Sequence, residues 1–380
     1  MLNKARRMRA GLRGWGGVGA MFTACAVALL LALLLTCTGS AVHDTPDAAP
    51  AAETGANSAP NAPNTPNTAH APNTAHAPGT AGAADKAEDC TAPEKQTLPP
   101  SDADGPTIEA IKNRPGEKRK LIVGVDQNSY RWGYRDPNRR TSGNGGNNTS
   151  LEGFDIDLVH RIAEDILGDP DAVQFKAIPT AQRIPAIKSG RVDLVVRTMT
   201  ITCDRLKDVA FSAPYFKTGQ QVLAPKTSPI TGYDETLANR RICTAKGSTA
   251  YAKLEEDKKN GDLPASTDIS TQVPNQLDCL VRLQLGEVDA VVNDGALAAS
   301  QAAQDPTVEL KGDAFTTEYY GVAMKKDADD LVRRVNQILV DWRKDTQKGW
   351  QASYDQWLSA TLAGDSSKSE PPAPEYLRKS

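Results

Sequence analysis

From about residue 108 to residue 362 the chain alternates short apolar runs with amphipathic, helix-like stretches, and the apolar runs end in groups that carry charge or donate hydrogen bonds. This alternation narrows the fold more than any other feature, because strand and helix patterns in strict turn build α/β layers around largely parallel sheets. "KLIVGVD" (Lys120 to Asp126) is a compact buried strand, and "AVQFKAIPT" and "VDLVVR" continue the series. Between them, "GFDIDLVHRIAEDILGDP" places Leu158, Val159, Ile162, Ala163, Ile166 and Leu167 at helical spacing. Asp155 is expected to cap that helix, Gly168 and then Pro170 to stop it, and His160 to lie on its surface or at an interface. The Gly/Asn-rich "RRTSGNGGNNTS" is expected to be a hairpin or mobile loop, with no lysine after its glycines to make a phosphate cradle.

Ligands of open α/β sheets gather at the carboxyl ends of strands. Those ends carry Asp126, then Thr180 with Arg183, and then Thr198, Thr200 and Arg205 in "RTMTITCDR". Each has a plain structural alternative: Arg205 pairing with Asp204 and Asp208 on the surface, Arg183 merely opening a helix. Beyond "FSAPYF", "GQQVLAPK" crosses to a second lobe, where the alternation restarts with "RRICTAKGSTAYAKL" and leads to Asn293 and Asp294. Capping the next helix is the alternative role for Asp294. "TTEYYGVAMKK" crosses back, and two helices in "DDLVRRVNQILVDWRKDTQKGWQASYDQWL" close the first lobe. Two crossings imply two lobes and a hinge. The expected boundaries are 107–222 for lobe 1, 223–319 for lobe 2, 320–362 for the return to lobe 1, and 363–380 for a flexible C-terminal tail.

The region before the lobes has a different composition. Lys4, Arg6, Arg7, Arg9 and Arg13 precede an apolar run from Ala20 to Leu35, the layout of a secretory signal over residues 1–36. An uncleaved membrane anchor is the alternative. Leu34-Leu35-Thr36-Cys37 resembles the bacterial lipobox, which implies lipidation of Cys37, although Thr36 stands where Gly, Ala or Ser is preferred. From Ser40 to about Pro100 the chain is rich in Ala, Pro, Asn, Thr and Gly and cannot bury a core. Residues 37–106 are therefore expected to tether a folded domain to the outer face of the cell membrane. His70 and His76 lack a third partner, so no metal site is expected. A formal net charge of −3 supplies no basic field for nucleic acid.

In an exported protein, Cys90, Cys203, Cys243 and Cys279 suggest disulfides. Of the three possible pairings, Cys243–Cys279 lies within one later segment, and Cys90–Cys203 staples the end of the tether to lobe 1. Free buried thiols are the alternative.

"GFDIDL", "RTMTITCDRLKDVAFSAPYF", "AKGSTA", "GEVDAVVNDGALA", "YYGVAMKK" and a terminal Trp-rich helix occur in the order seen in family 3 solute-binding proteins, the polar-amino-acid receptors of ABC importers. The anchor, tether and cysteines look most like actinobacterial glutamate/glutamine-binding lipoproteins. The resemblance implies a type II periplasmic-binding-protein fold that shuts on a small amino acid, without cofactor or reaction, in a monomer that serves a permease. It implies that Arg205 clamps the ligand α-carboxylate beside Thr200 and Thr198, that Asp294 accepts the α-ammonium, and that Ser248 and Thr249 meet the ligand on closure. In "TAQR", Thr180 and Arg183 match the segment that binds a side-chain carboxylate in acidic-ligand relatives. Asp126 matches an aspartate that meets the side-chain amide in glutamine binders, so it requires either an amide ligand or a basic partner such as Arg183. Arg197 replaces a small residue and either supplies that charge or points outward. Tyr130, Trp132 and Tyr134 are candidates to pack ligand methylenes, or else to be buried on a sheet face.

A guanidinium fork fits a carboxylate bidentately and lysine does not. Two arginines and an aspartate around one cavity therefore suit glutamate or aspartate, or an amide relative. Two other functions use the same scaffold: an amino-acid sensor subunit for a membrane signalling partner, and a dehydratase-like enzyme.

Overall fold

The computed structural model describes residues 90–136, 150–362 and 368–379. The proposed signal, Cys37, His70, His76, most of the tether and nearly all of the Gly/Asn-rich loop lie outside the described residues. No described helix is long and apolar enough to cross a membrane.

In lobe 1, α1 (Pro106–Lys112) leads to β1 (Leu121–Val125), whose side chains are nearly all buried, as expected of a parallel strand covered on both faces. The short strands β2 (Asn128–Ser129), β3 (Gly133–Arg135) and β4 (Leu151–Glu152) form a small antiparallel sheet at its carboxyl end. Helix α2 (Phe154–Leu167) ends at left-handed Gly168, φ 74°, in line with the sequence. Its start differs from expectation. The cap is Gly153, with φ 128°, where an added Cβ would stand 2.5 Å from the Trp132 backbone. Asp155 is thereby freed from capping and turns inward.

Next come β5 (Val173–Ala177), α3 (Arg183–Lys188), β6 (Leu194–Val195), α4 (Cys203–Leu206) and β7 (Val209–Phe211). Strand β8 (Phe216–Thr218) leaves lobe 1, and β9 (Gln220–Pro225) enters the sheet of lobe 2. That lobe adds β10 (Arg241–Ala245), α5 (Thr249–Asn260), β11 (Asp268–Val273), α6 (Gln276–Gln284), β12 (Ala290–Asp294), α7 (Gly295–Gln304) and β13 (Val308–Lys311). Strand β14 (Glu318–Tyr320) crosses back to β15 (Ala323–Lys325), followed by α8 (Asp329–Lys344) and α9 (Trp350–Trp357).

The sheets share one plan: order β5-β1-β6-β15-β7 in lobe 1 and β11-β10-β12-β9-β13 in lobe 2. In each, three parallel strands are followed by two added antiparallel. The crossings β8 and β14 pair antiparallel, with Phe216 opposite Tyr320 and Thr218 opposite Glu318. This ribbon is the hinge, and aromatic packing fixes it to lobe 1. Trp132 is fully buried, its ring centroid 4.9 Å from Phe216 and 5.7 Å from Tyr320 in edge-on contacts. Trp132 therefore belongs to the hinge core. Helix α8 seals the lobe with Leu331, Val332, Val335, Ile338, Leu339 and Trp342 on one buried stripe.

Two expected boundaries move. Packing against lobe 1 begins at the end of the proposed tether: Leu98 is fully buried, Thr97 Oγ1 donates to the Phe211 carbonyl at 2.7 Å, and Asn336 donates to the Leu98 carbonyl at 2.6 Å. The C-terminal residues 368–379 lie along this segment instead of forming a free tail. Leu377 and Arg378 backbone N–H groups donate to Lys95 and Thr97 carbonyls, and Arg378 pairs with Asp329 at 2.7 Å. Backbone hydrogen bonds thus join the two segments to each other.

Disulfides join Cys90 to Cys203 and Cys243 to Cys279. The first ties the start of the packed chain to α4, and the second ties β10 to α6 across 36 residues of sequence. Replacing Cys243 and Cys279 together with serine is expected to lower unfolding free energy by about 2–4 kcal/mol in urea titrations, from the loop entropy released in the unfolded chain. An unchanged midpoint would show that the bridge constrains nothing.

Candidate functional site

The carboxyl ends of β1, β6, β10 and β12 face one another between the lobes, and the predicted polar residues meet there. Asp126, just after β1, is 6% exposed and pairs with the fully buried Arg197 at 2.7 Å. It also accepts the Gln127 and Asn128 N–H groups and the Ser129 hydroxyl. The basic partner that Asp126 required is thus Arg197 and not Arg183. Arg197 further donates to Thr180 Oγ1 at 3.0 Å and, across the cleft, to Asn275 Oδ1 at 3.2 Å.

The segment after β6 is bent by Thr198, whose φ of +40° is costly for a β-branched residue and marks an over-determined site. Asp155 holds it, accepting the Thr198 N–H at 3.0 Å and the Tyr215 hydroxyl at 2.8 Å. Burial pushes the Asp155 carboxyl up to about 7, against the pull of those two hydrogen bonds. Thr200 Oγ1 donates to Glu318 at 2.6 Å. Thr202 caps α4, so Arg205 leaves that short helix toward the cleft. Neighbours Asp204 and Asp208 pair instead with Lys207 and Lys188, which removes the surface-ion-pair alternative for Arg205.

Arg205 donates to the Thr200 carbonyl at 2.7 Å and to the Gly247 carbonyl of lobe 2 at 3.2 Å. Arg183, buried at the start of α3, reaches the same Gly247 carbonyl at 3.4 Å and also the Thr180 and Arg197 carbonyls. Among the described residues neither guanidinium has a carboxylate within ion-pair distance. Burial first, and then the charges of Arg205 and Arg197, pull Arg183 well below the usual arginine range. Arg205 is lowered too, mainly by burial. Guanidinium groups keep their protons in proteins, so the same forces make both strong claimants for an added carboxylate.

Lobe 2 approaches closely at Gly247. Its φ is +78°, and a Cβ there would come 3.0 Å from Ala181 Cα of lobe 1, so glycine alone permits this contact. Ser248 caps α5 by accepting the Tyr251 N–H, while Thr249 Oγ1 donates to Glu318 at 3.0 Å. Asp294, at the end of β12, does not cap α7 with its side chain. It is buried and accepts the Tyr320 hydroxyl at 2.6 Å. Burial and the Glu318 charge push the Asp294 carboxyl well above the usual range.

Thus Arg183, Arg197, Arg205, Thr180, Thr198, Thr200, Asp126, Thr249 and Asp294 line or support one region, and Ser248 borders it from its cap position. Tyr130 lines a narrow gap between the lobes with Asn128, Gln276, Leu297 and Ser300. Tyr134 packs edge-on against Tyr130 and Trp357. Sequence reading missed Glu318, Asn275, Gln276, Tyr215 and Tyr320. One signal was available: the acid in "TTEYYG" stands alone among the aromatics of a crossing strand, where a carboxylate has no reason to be buried without partners. The described residues contain no cluster able to hold a metal.

Two α/β lobes joined by a two-strand hinge, with polar strand ends facing across a cleft, define a type II periplasmic-binding-protein architecture. The chain belongs to the bacterial extracellular solute-binding proteins, family 3, whose model matches residues 121–360. The ABC transporter glutamine-binding protein GlnH of Bacillus subtilis is 32% identical over 252 residues, which is 66% of this chain and 84% of that protein. The glutamate-binding protein GluB of Corynebacterium glutamicum is 28% identical over 59% of this chain and 74% of its own length. Among solved structures, the solute receptor for L-cysteine of Neisseria gonorrhoeae superposes with a TM-score of 0.60 at 26% identity, covering 70% of this chain and all of that one. An ancestral arginine-binding protein bound to glutamine gives 0.55 at 31% identity, covering 63% and 97%. The relatives are amino-acid-binding receptors of ABC transporters, and family members are solute-binding receptors, not enzymes.

Asp155 makes stability pH-dependent. Its folded-state carboxyl titrates above the ordinary 3.8, so its contribution is fully present in acid below that value and is lost as pH rises through about 7. The loss amounts to at most about 4 kcal/mol. Unfolding free energy measured from pH 4 to 7 is expected to fall less steeply in Asp155→Asn than in the parent protein; identical slopes would remove Asp155 as the cause.

Proposed function

We propose that this protein is a lipid-anchored receptor on the outer face of the cell membrane that binds glutamate, aspartate or an amide relative by cleft closure and delivers it to an ABC importer. The observation that carries the reading is the convergence of Arg183 and Arg205 on one carbonyl of lobe 2, without a carboxylate of their own among the described residues, beside the acceptors Asp294 and Glu318. Forks without anionic partners suit ligand carboxylates, and the acidic pair suits an ammonium. Arg205 is assigned to the α-carboxylate with Thr198 and Thr200, Asp294 to the α-ammonium, and Arg183 with Thr180 to the ligand side chain. Because each lobe supplies part of this shell, a ligand touching both favours the shut arrangement over the open one. The transporter partner is supported by the relatives, and the anchor by the Cys37 motif and the low-complexity stretch that follows it.

Titration calorimetry of the purified full-length protein against the twenty amino acids tests this reading. Binding of an acidic amino acid or its amide is expected. Arg205→Ala is expected to weaken binding at least a hundredfold, since it removes two charge-assisted hydrogen bonds of about 1.5–3 kcal/mol each. Arg183→Ala is expected to weaken glutamate more than glutamine. Unchanged affinity in Arg205→Ala would overturn the assignment.

A further inference from the structure

Arg205, the proposed grip on the ligand α-carboxylate, stands on α4 (Cys203–Leu206), a helix of a single turn. One turn does not hold its own shape in water, because forming it fixes several dihedrals for one hydrogen bond. The aim of Arg205 therefore comes from what ties the two ends of α4. At the far end, Leu206 packs against the lobe 1 core around Val209 and Phe211, and Lys326 donates to the Leu206 carbonyl. At the near end the tie is covalent. Cys203, just ahead of Arg205 on the same turn, is bonded to Cys90, 113 positions earlier, with Cα atoms 5.7 Å apart.

The Cys90 side of that bond is itself fastened. Thr97 Oγ1 donates to the Phe211 carbonyl at the end of β7, and Asn336 of α8 donates to Thr97 Oγ1 at 3.0 Å and to the Leu98 carbonyl. The bridge thus ties α4 to an arm fixed on β7 and α8. From this support Arg205 reaches the Thr200 carbonyl at 2.7 Å and, across the cleft, the Gly247 carbonyl at 3.2 Å. A binding group keeps its geometry to within about 0.5 Å only when its support is fixed. The long arginine side chain turns a small rotation of α4 into a larger displacement of the guanidinium. Access also separates the two bridges: Cys90 is exposed, whereas Cys243 and Cys279 are buried in lobe 2.

We propose that the Cys90–Cys203 disulfide is a positioning device for the binding site: it aims Arg205 into the cleft, so that ligand affinity depends on the redox state of that one bond. This rests on the assignment of Arg205 in the amino-acid reading given above. Opening the bond takes two electrons and two protons, which a dithiol supplies as it closes to its own cyclic disulfide, leaving thiols on Cys90 and Cys203.

Calorimetry of the full-length protein with L-glutamate and L-glutamine, before and after dithiothreitol and in Cys90→Ser, tests it, with circular dichroism to follow folding. Reduction and Cys90→Ser are each expected to keep the fold and to weaken both ligands by about tenfold or more, the worth of one charge-assisted hydrogen bond. The factor should be the same for both ligands, because the α-carboxylate is common to them. Dithiothreitol should change nothing further in Cys90→Ser. In an Arg205→Ala background, with ligand raised to match, Cys90→Ser should change affinity less than about twofold, whereas a bond that only stabilised the lobe would act independently of Arg205. Unchanged affinity on opening the bond, a loss confined to one ligand, a loss that persists in Arg205→Ala, or unfolding of the reduced protein overturns the inference alone. Absence of binding heat with either ligand, or unchanged affinity in Arg205→Ala, overturns the reading beneath it, and this inference with it.

Discussion

Three arginines concentrated between two lobes are the constraint on which the remainder of the structure depends. Arg183, Arg197 and Arg205 lie near enough that the charges of the other two disfavour Arg183. Like charges at that range in a site of low dielectric repel by several kcal/mol unless acceptors surround them. The fold supplies those acceptors from every side. Asp126 neutralises Arg197, and the carbonyls of Thr180, Thr200 and Gly247 take N–H groups of Arg183 and Arg205. What carbonyls do not supply is charge, and this is why the cleft has a physical claim on an anionic group.

The hinge makes that claim conditional on closure. Strands β8 and β14 are paired to each other, and their aromatic residues Phe216 and Tyr320 pack on Trp132 of lobe 1. The ribbon is therefore packed as part of lobe 1. Gly247, Asn275 and Gln276 of lobe 2 meet Arg183, Arg197, Arg205 and Thr180 of lobe 1. Glu318 lies at the pivot, bonded to a hydroxyl from each lobe. One carboxylate oxygen, Oε2, thus takes a hydroxyl from each lobe, while Oε1 takes the Gln220 amide of the other crossing.

The fold was legible in the sequence because a parallel strand covered on both faces is written as an apolar run, as in β1 and the Ala290–Val292 part of β12. Residues at strand ends were legible for the same reason: Asp126, Asp294 and the Thr198–Arg205 segment follow directly from where an apolar run stops. Partners that come from elsewhere in the chain were not. Arg197 was one of the two bases open to Asp126 in the sequence, and the choice between it and Arg183 is made only by the folded backbone after β6. Glu318 lies 118 positions from Thr200 and 69 from Thr249, a relation that no local pattern encodes. Asp155 looked like a helix cap because its residue type and place fit one, but Gly153 alone tolerates the approach of the Trp132 backbone. The Cys90–Cys203 staple was legible from the cysteines, but the backbone pairing of residues 377 and 378 with 95 and 97 was not, because composition reports the lack of a core and not pairing with a neighbour.

The central claim is that the arginines and the acidic pair together grip the zwitterionic head of an amino acid between the lobes. A crystal structure of the protein grown with a saturating acidic amino acid or its amide tests this most directly. The account predicts the α-carboxylate in a two-pronged contact with Arg205 and the ammonium within hydrogen-bonding distance of Asp294 and Glu318, with both lobes touching the ligand. Density for the amino acid in any other place, or contact with one lobe only, would contradict it.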